Sequence, residues 1–337
     1  MLKQACLTVV VVLSLGSTAS ATTYGERMGS HSMLYLDTPP DQQRAMFRAT
    51  AAAGVGSLRM DFAVGQVFPR GGRDYSAVQR MNALAAEFDI EVLGVITTTP
   101  WYIGDCPAGV DDLNAERCAP AARYEPRWRR MVTRLARHAS NVRSWELGNE
   151  PDGAGFAGGA HQYAVWASLA AQGIRAAQPD ATIVMGGLAH FTNEGFVAQA
   201  LNDRAYPLRP LIDVANVHIR EPLRALPGTI AAARALFRRL GFAGPLWVTE
   251  TGYPSRPEHQ WEPGFQGGLR DQGRWLSRGV RALVGAGAER VFVAFRDTRE
   301  FGRDSVFASE GVLRWPRARP KPAFWTLRQL ARKPCPC

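Results

Sequence analysis

From residue 24 onward, short apolar runs alternate with stretches in which apolar residues recur every three or four positions. The runs at 24–28, 57–62, 91–96, 144–147, 182–186, 214–218, 246–249 and 290–295 have the length and residue types of buried strands. The stretches at 41–53, 77–88, 127–138, 163–177, 194–201, 229–240, 270–286 and 323–332 have a helical period. Thr38-Pro39-Pro40 makes a good helix start, and Gly54, Gly241 and Gly287 fall where helices tend to stop. Eight strand-then-helix units predict an α/β protein, a (β/α)8 TIM barrel forming one domain over residues 22–337. An open doubly wound sheet is the alternative, but no G-x-G-x-x-G follows the first strand. The longest irregular segments, 97–126, 252–268 and 298–320, each follow a strand, where a barrel carries its functional loops.

The N-terminus changes the picture by giving an address. Lys3, an apolar run from Leu7 to Leu15 and a small-residue stretch ending Ala19-Ser20-Ala21 form a secretory signal pattern. Residues 1–21 are therefore expected to be removed, with Thr22 as the mature N-terminus and a secreted, extracellular or periplasmic, product without a membrane anchor. Of five cysteines, Cys6 leaves with the signal, and Cys106 and Cys118 flank a loop that a disulfide could close. Cys335 and Cys337 could join each other under strain, tether elsewhere or bind metal. No C-x-x-C or H-E-x-x-H pattern appears, so neither a metal nor a cofactor is expected. The net charge of +10 is mostly arginine, densest at 127–137 and 314–319. It reads as a solvated basic surface, or as attraction to an acidic polymer such as an exopolysaccharide. Nucleic acid is not expected, because no binding module is recognisable, and the chain is expected to act as a monomer.

Two strand ends carry the candidate chemistry. Trp145-Glu146-Leu147-Gly148-Asn149-Glu150-Pro151-Asp152 and Leu246-Trp247-Val248-Thr249-Glu250-Thr251-Gly252-Tyr253-Pro254 each stop a strand near a carboxylate. Glu150 ends the fourth strand and Glu250 the seventh, positions that face each other across a barrel mouth. Two carboxylates so placed are what glycoside hydrolysis requires. At about 5–5.5 Å one acts as nucleophile and the other as acid, then base, with mutual repulsion separating their protonation. Either glutamate alone could instead cap a helix or pair with an arginine.

Asn149-Glu150-Pro151 and Thr249-Glu250-Thr251-Gly252 resemble the acid/base and nucleophile motifs of the large (β/α)8 clan of retaining glycosidases. The resemblance implies that Glu150 is the acid/base, Glu250 the nucleophile and Asn149 a ligand for the sugar 2-hydroxyl. It implies also that Arg59, in Leu58-Arg59-Met60-Asp61-Phe62, steadies the nucleophile. His218 falls at the end of strand six, where the clan often has His or Tyr; a satisfied core histidine is the other reading. Trp101 looks like a sugar-stacking platform or a loop anchor, and Tyr253 is a candidate contact beside Glu250. His31, Asp61 and Arg296 are weaker candidates by position. Strand two and Asn149-Glu150-Pro151-Asp152 are most similar to the family of β-xylosidases and bacterial exopolysaccharide glycosidases. Gly148, however, stands where that family usually has Trp.

These observations predict a secreted glycosidase that cleaves O-glycosidic bonds of a poly- or oligosaccharide by double displacement. A non-catalytic carbohydrate-binding barrel at the cell surface is the rival, though a binder need not keep both carboxylates. A serine hydrolase is disfavoured by the lack of a G-x-S-x-G elbow.

Overall fold

Among the described residues, eight parallel strands of one sheet alternate with eight longer helices. The strands are β1 (Met28–His31), β2 (Ser57–Ala63), β3 (Glu91–Thr97), β4 (Val142–Asn149), β5 (Thr182–Gly187), β6 (Ala215–His218), β7 (Leu246–Thr251) and β8 (Ala288–Ala294). The helices are α1 (Pro40–Ala52), α2 (Ser76–Phe88), α3 (Glu125–His138), α4 (Ala160–Arg175), α5 (Glu194–Asn202), α6 (Leu226–Arg239), α7 (Leu269–Gly285) and α8 (Pro322–Ala331). The computed structural model describes residues 22–110, 115–153, 155–314 and 316–336. The expected signal at 1–21, with Cys6, and the terminal Cys337 lie outside them. Among the described residues no helix is long and apolar enough to cross a membrane.

The sheet runs β5-β4-β3-β2-β1-β8-β7-β6. Parallel bridges Val184↔Val214 and Leu188↔Val217 join its two edges and close the barrel. Pro stands in the first turn of α1, α3, α6 and α8, where its missing N–H costs nothing. Gly54, Gly241 and Gly287 take positive φ just beyond α1, α6 and α7, as their sequence positions predict.

Inward-facing residues stack in tiers. At the base, Arg290 Nη1 donates to Ser57 Oγ and Glu91 Oε2, and Ser144 Oγ donates to Glu91 Oε1. Above it Leu93, Val184, Val214, Trp247 and Phe292 form an apolar plug separate from the main core between sheet and helices. The tier above the plug is polar, and it holds the candidate site. Such layered filling makes a barrel interior a packed core rather than a pore.

One strand differs from expectation. Residues 24–27 form a single helical turn, Tyr24–Arg27, and β1 starts only at Met28. The turn seals the barrel base: Gly25 O accepts from Gly56 N–H at 3.1 Å, and Tyr24 N–H donates to Lys333 O at 3.0 Å. β1 itself, Met-Gly-Ser-His, has no β-branched residue to announce it. Its glycine is dictated by the plug, since a Cβ on Gly29 would lie 2.1 Å from the Phe292 ring.

Cys106 and Cys118 form the disulfide that closes the expected loop, and Cys335 is disulfide-bonded as well. Gly29→Ala should destabilise the barrel by about 1–3 kcal/mol through overpacking. Equilibrium denaturation checks this, and paired Gly29→Ala/Phe292→Leu should recover part of the loss.

Candidate active site

Arg59 organises the polar tier. It projects from the middle of β2 and is almost wholly buried. Its Nε and Nη2 donate to the two Glu146 oxygens at 2.7 and 2.9 Å. Nη2 also donates to Asn149 Oδ1 at 2.7 Å, and Nη1 to Glu250 Oε1 at 2.9 Å. The remaining Nη1 proton reaches His31 Nδ1 at 3.2 Å. All five guanidinium N–H groups are thus engaged. Because His31 Nδ1 accepts, its Nε2 carries the ring proton and points at Glu250 Oε2, 3.5 Å away. Burial, with Arg59, Arg220 and His218 nearby, outweighs Glu250 and pushes the His31 pKa down to about 3, so its ring is neutral at physiological pH.

Local backbone aims the two glutamates. β7 carries an extra residue: Val217 of β6 pairs with Val248, but His218 pairs with Glu250. This bulge leaves both Thr249 and Glu250 buried in the polar tier. At the end of β4, Gly148 has φ 90° and Glu150 φ 44°, a left-handed kink either side of Asn149. Holding Glu150 there costs about 1–3 kcal/mol. The kink is fixed by Glu150 N–H donating to Gly187 O, and by Asp152 accepting from the backbone N–H groups of Ala189 and His190.

The result brings Glu150, Glu250, Asn149, Arg59 and His218 together. Glu150 Oε1 lies 2.9 Å from His218 Nδ1, a contact that carries one proton, and His218 Nε2 lies 3.1 Å from Thr249 Oγ1. One oxygen of Glu150 and one of Glu250 are within 4.8 Å of each other and of His218 Nδ1 or Nε2. His218 rests on bare backbone, because a Cβ on Gly187 would meet its Nε2 at 2.0 Å. The two carboxylates have different surroundings. Glu150 is about one-third exposed at its side chain, whereas Glu250 is buried. Burial alone would oppose ionisation of Glu250, but His218, His31, Arg59 and Arg220 outweigh it and hold the carboxyl well below the usual range. Of these, Arg59 and Arg220 are permanent cations at neutral pH.

Glu150, His218 and Glu250 also offer three ligand atoms close enough for one cation. Two guanidiniums within 3.2 Å of Glu250 already supply positive charge there and would repel a metal.

Three groups escaped the sequence reading. Glu146, wholly buried, accepts from Arg59, Gly187 N–H and Thr249 Oγ1. A carboxylate flanked by Trp145 and Leu147, opposite an arginine flanked by Leu58 and Met60, was the available signal. Arg220, just past β6, donates to Glu250 Oε2 at 3.2 Å and to both oxygens of Glu310. Glu310 ends a single helical turn, Phe307–Glu310, in the segment after β8 and has no sequence signature. His31 is in the cluster.

Other candidates lie elsewhere. Tyr253 is fully buried away from the cleft, stacked on Trp275 at 5.2 Å, with its hydroxyl accepting from Glu262 N–H. The chain turns outward directly after β7, at Gly252, where the Glu310 carboxylate occupies the space a Cβ would need. Trp101 is half-exposed on the β3 loop, with Arg70 at 5.5 Å from its ring, and among the described residues makes no contact with the two carboxylates. Arg296 donates to Gln42 and Met33 O instead.

Asp61, at the end of β2, is pushed up to about 7 by burial against the pull of Arg59, with Glu146, Glu250 and Glu300 adding to the rise. A folded-state value above the unfolded one, about 4, means that the native protein binds the extra proton between them. This contribution to stability is present below about pH 4 and is lost as pH rises towards 7. Asp61→Asn should flatten the stability profile across that window, as measured by denaturant midpoints against pH.

A model of the cellulase family, glycosyl hydrolase family 5, matches residues 19–219, which include Glu150 and stop short of β7. No curated protein sequence matches the chain. Among solved structures it is similar to a family 39 glycoside hydrolase from Bacteroides cellulosilyticus WH2, with TM-score 0.67 and 17% identity over 90% of this chain and 63% of that one. It is similar also to an exo-β-1,4-mannosidase from Opitutaceae bacterium strain TAV5, with TM-score 0.63 and 18% identity over 95% and 62%. The chain spans less than two thirds of either protein. At these identities the likeness concerns the fold, the (β/α)8 barrel expected from the sequence. The family match covers more than half of the chain, which therefore belongs to the cellulase family, glycosyl hydrolase family 5, of the retaining (β/α)8 clan.

Proposed function

We propose that the protein is an exported retaining glycosidase acting on O-glycosidic bonds of a poly- or oligosaccharide, with Glu250 as nucleophile and Glu150 as acid/base. The observation that carries this reading is the paired carboxylate geometry. Oxygens within 4.8 Å of each other agree with the close spacing of a retaining pair rather than the wider spacing that inversion needs, and suit direct attack on the anomeric carbon.

The environments divide the labour. Glu250, ionised by Arg59 and Arg220, attacks the anomeric carbon and forms a glycosyl ester. Glu150, in contact with solvent and with the proton shared with His218, protonates the leaving oxygen. It then takes a proton from the water that cleaves the ester. Asn149 Oδ1 accepts from Arg59 Nη2, which leaves the Asn149 Nδ2 donors for the sugar 2-hydroxyl.

The export half of the proposal draws support from the Cys106–Cys118 disulfide, a bond that oxidising compartments favour. Mass spectrometry of the processed chain should find Thr22 as its first residue; retention of residues 1–21 in the exported protein would remove this part.

Glu250→Ala should abolish turnover, and azide should restore it with a glycosyl azide of inverted configuration. Glu150→Ala should slow substrates with poor leaving groups by about 10²–10⁴-fold and activated aryl glycosides far less. Full activity of Glu250→Ala on a substrate cleaved by the wild type would end the reading.

A further inference from the structure

Beside the mouth, between the loops after β2 and β3 and the outer face of α3, lies a groove of about 590 Å³. Arg73, Arg127, Arg130 and Arg134 line it, with Tyr102 as an aromatic wall. We propose that this groove is an auxiliary binding site for an acidic polysaccharide, whose uronate carboxylates pair with the four guanidiniums. The inference rests on the glycosidase reading and names its substrate class.

Three observations carry it. Arg127, Arg130 and Arg134 follow one another at i, i+3 and i+7, so a single face of α3 presents all three. None of the four arginines has an ion-pair partner among the described residues. No acidic residue lies between Glu125 and Glu146, and Glu125 itself accepts from the Tyr206 hydroxyl. Asp74, next to Arg73, accepts from Ser76 N–H and lines a different depression. Like charges one turn apart destabilise a helix, so α3 carries a cost that a polyanion would offset.

Second, the groove is built for sugar as well as charge. Arg127 lies 5.0 Å from the centre of the Tyr102 ring, and Tyr102 meets the exposed Trp101 edge-on at 5.8 Å. Aromatic faces and guanidiniums together suit pyranose rings bearing carboxylates. Third, the groove opens on the loops that follow β2 and β3, at the barrel end where the glutamates stand. Thr97 and Thr98, at the end of β3, line the depression that also holds Asn149. A glycan leaving the cleft over the β3 loop would run into the arginines.

The test is binding of a short oligogalacturonate to the full-length protein, read by affinity electrophoresis and calorimetry in the Glu250→Gln background so that no bond is cut. Arg130→Glu/Arg134→Glu should weaken binding by about tenfold or more, while Arg48→Glu/Arg332→Glu, with the same charge change elsewhere, should not. Arg130→Gln/Arg134→Gln, gentler on the helix, should weaken it in the same direction, with circular dichroism confirming the fold. Binding should fall steeply with ionic strength. Equal weakening in both reversed pairs, or equal affinity for the methyl-esterified oligomer, would overturn the site. So would tighter binding of a single-stranded oligonucleotide that the same substitutions abolish. Loss of this binding leaves the azide test of Glu250 intact, and failure of the azide test leaves the binding result standing.

Discussion

One buried guanidinium holds this barrel's mouth together. Arg59 reaches from β2 to β1, β4 and β7 through five N–H groups, each with a partner. A lysine at the same place could satisfy only three acceptors and no bidentate carboxylate. A buried charge is tolerable only when its partners are complete, and removing one typically costs about 3–5 kcal/mol. The bulge of β7 and the kink of β4 are the local distortions that bring Glu250 and Asn149 to it, and the bare backbone at Gly187 makes room for His218 beside them.

The division between Glu150 and Glu250 follows from the same arrangement. Glu146 absorbs two of the Arg59 donors and keeps the guanidinium rigid, so that only one N–H serves Glu250. Arg220 brings a second cation from the opposite side and is itself anchored on Glu310. Glu250 is thus gripped by two arginines, while the partly exposed Glu150 carboxylate, among the described residues, meets the His218 imidazole. Identical side chains acquire different chemistry because their neighbours differ.

The sequence made the architecture legible because parallel strands buried on both faces read as apolar runs, and crossover helices keep their period. β1 was the exception, since its composition serves the Phe292 ring rather than strand propensity. In the site, Glu150 and Glu250 were legible by position at strand ends, whereas Arg59, Asn149 and His218 were legible through the resemblance of their motifs to the retaining clan. Glu146 read only as a residue within its strand, and Glu310 had no pattern because an isolated helical turn, Phe307–Glu310, delivers it. Tyr253 shows the limit of adjacency: the turn after β7 sends the neighbour of an inward residue into the packing outside the barrel.

The twin arginine grip on Glu250 also bears on how long a glycosyl ester would last. Esterification removes the anion that Arg59 Nη1 and Arg220 Nη2 face, leaving both cations against a neutral acyl group. Expulsion of the carboxylate restores two charge-assisted hydrogen bonds at once. In the proposed double displacement, Glu250 would therefore be a good leaving group for the same reason that it is held as an anion.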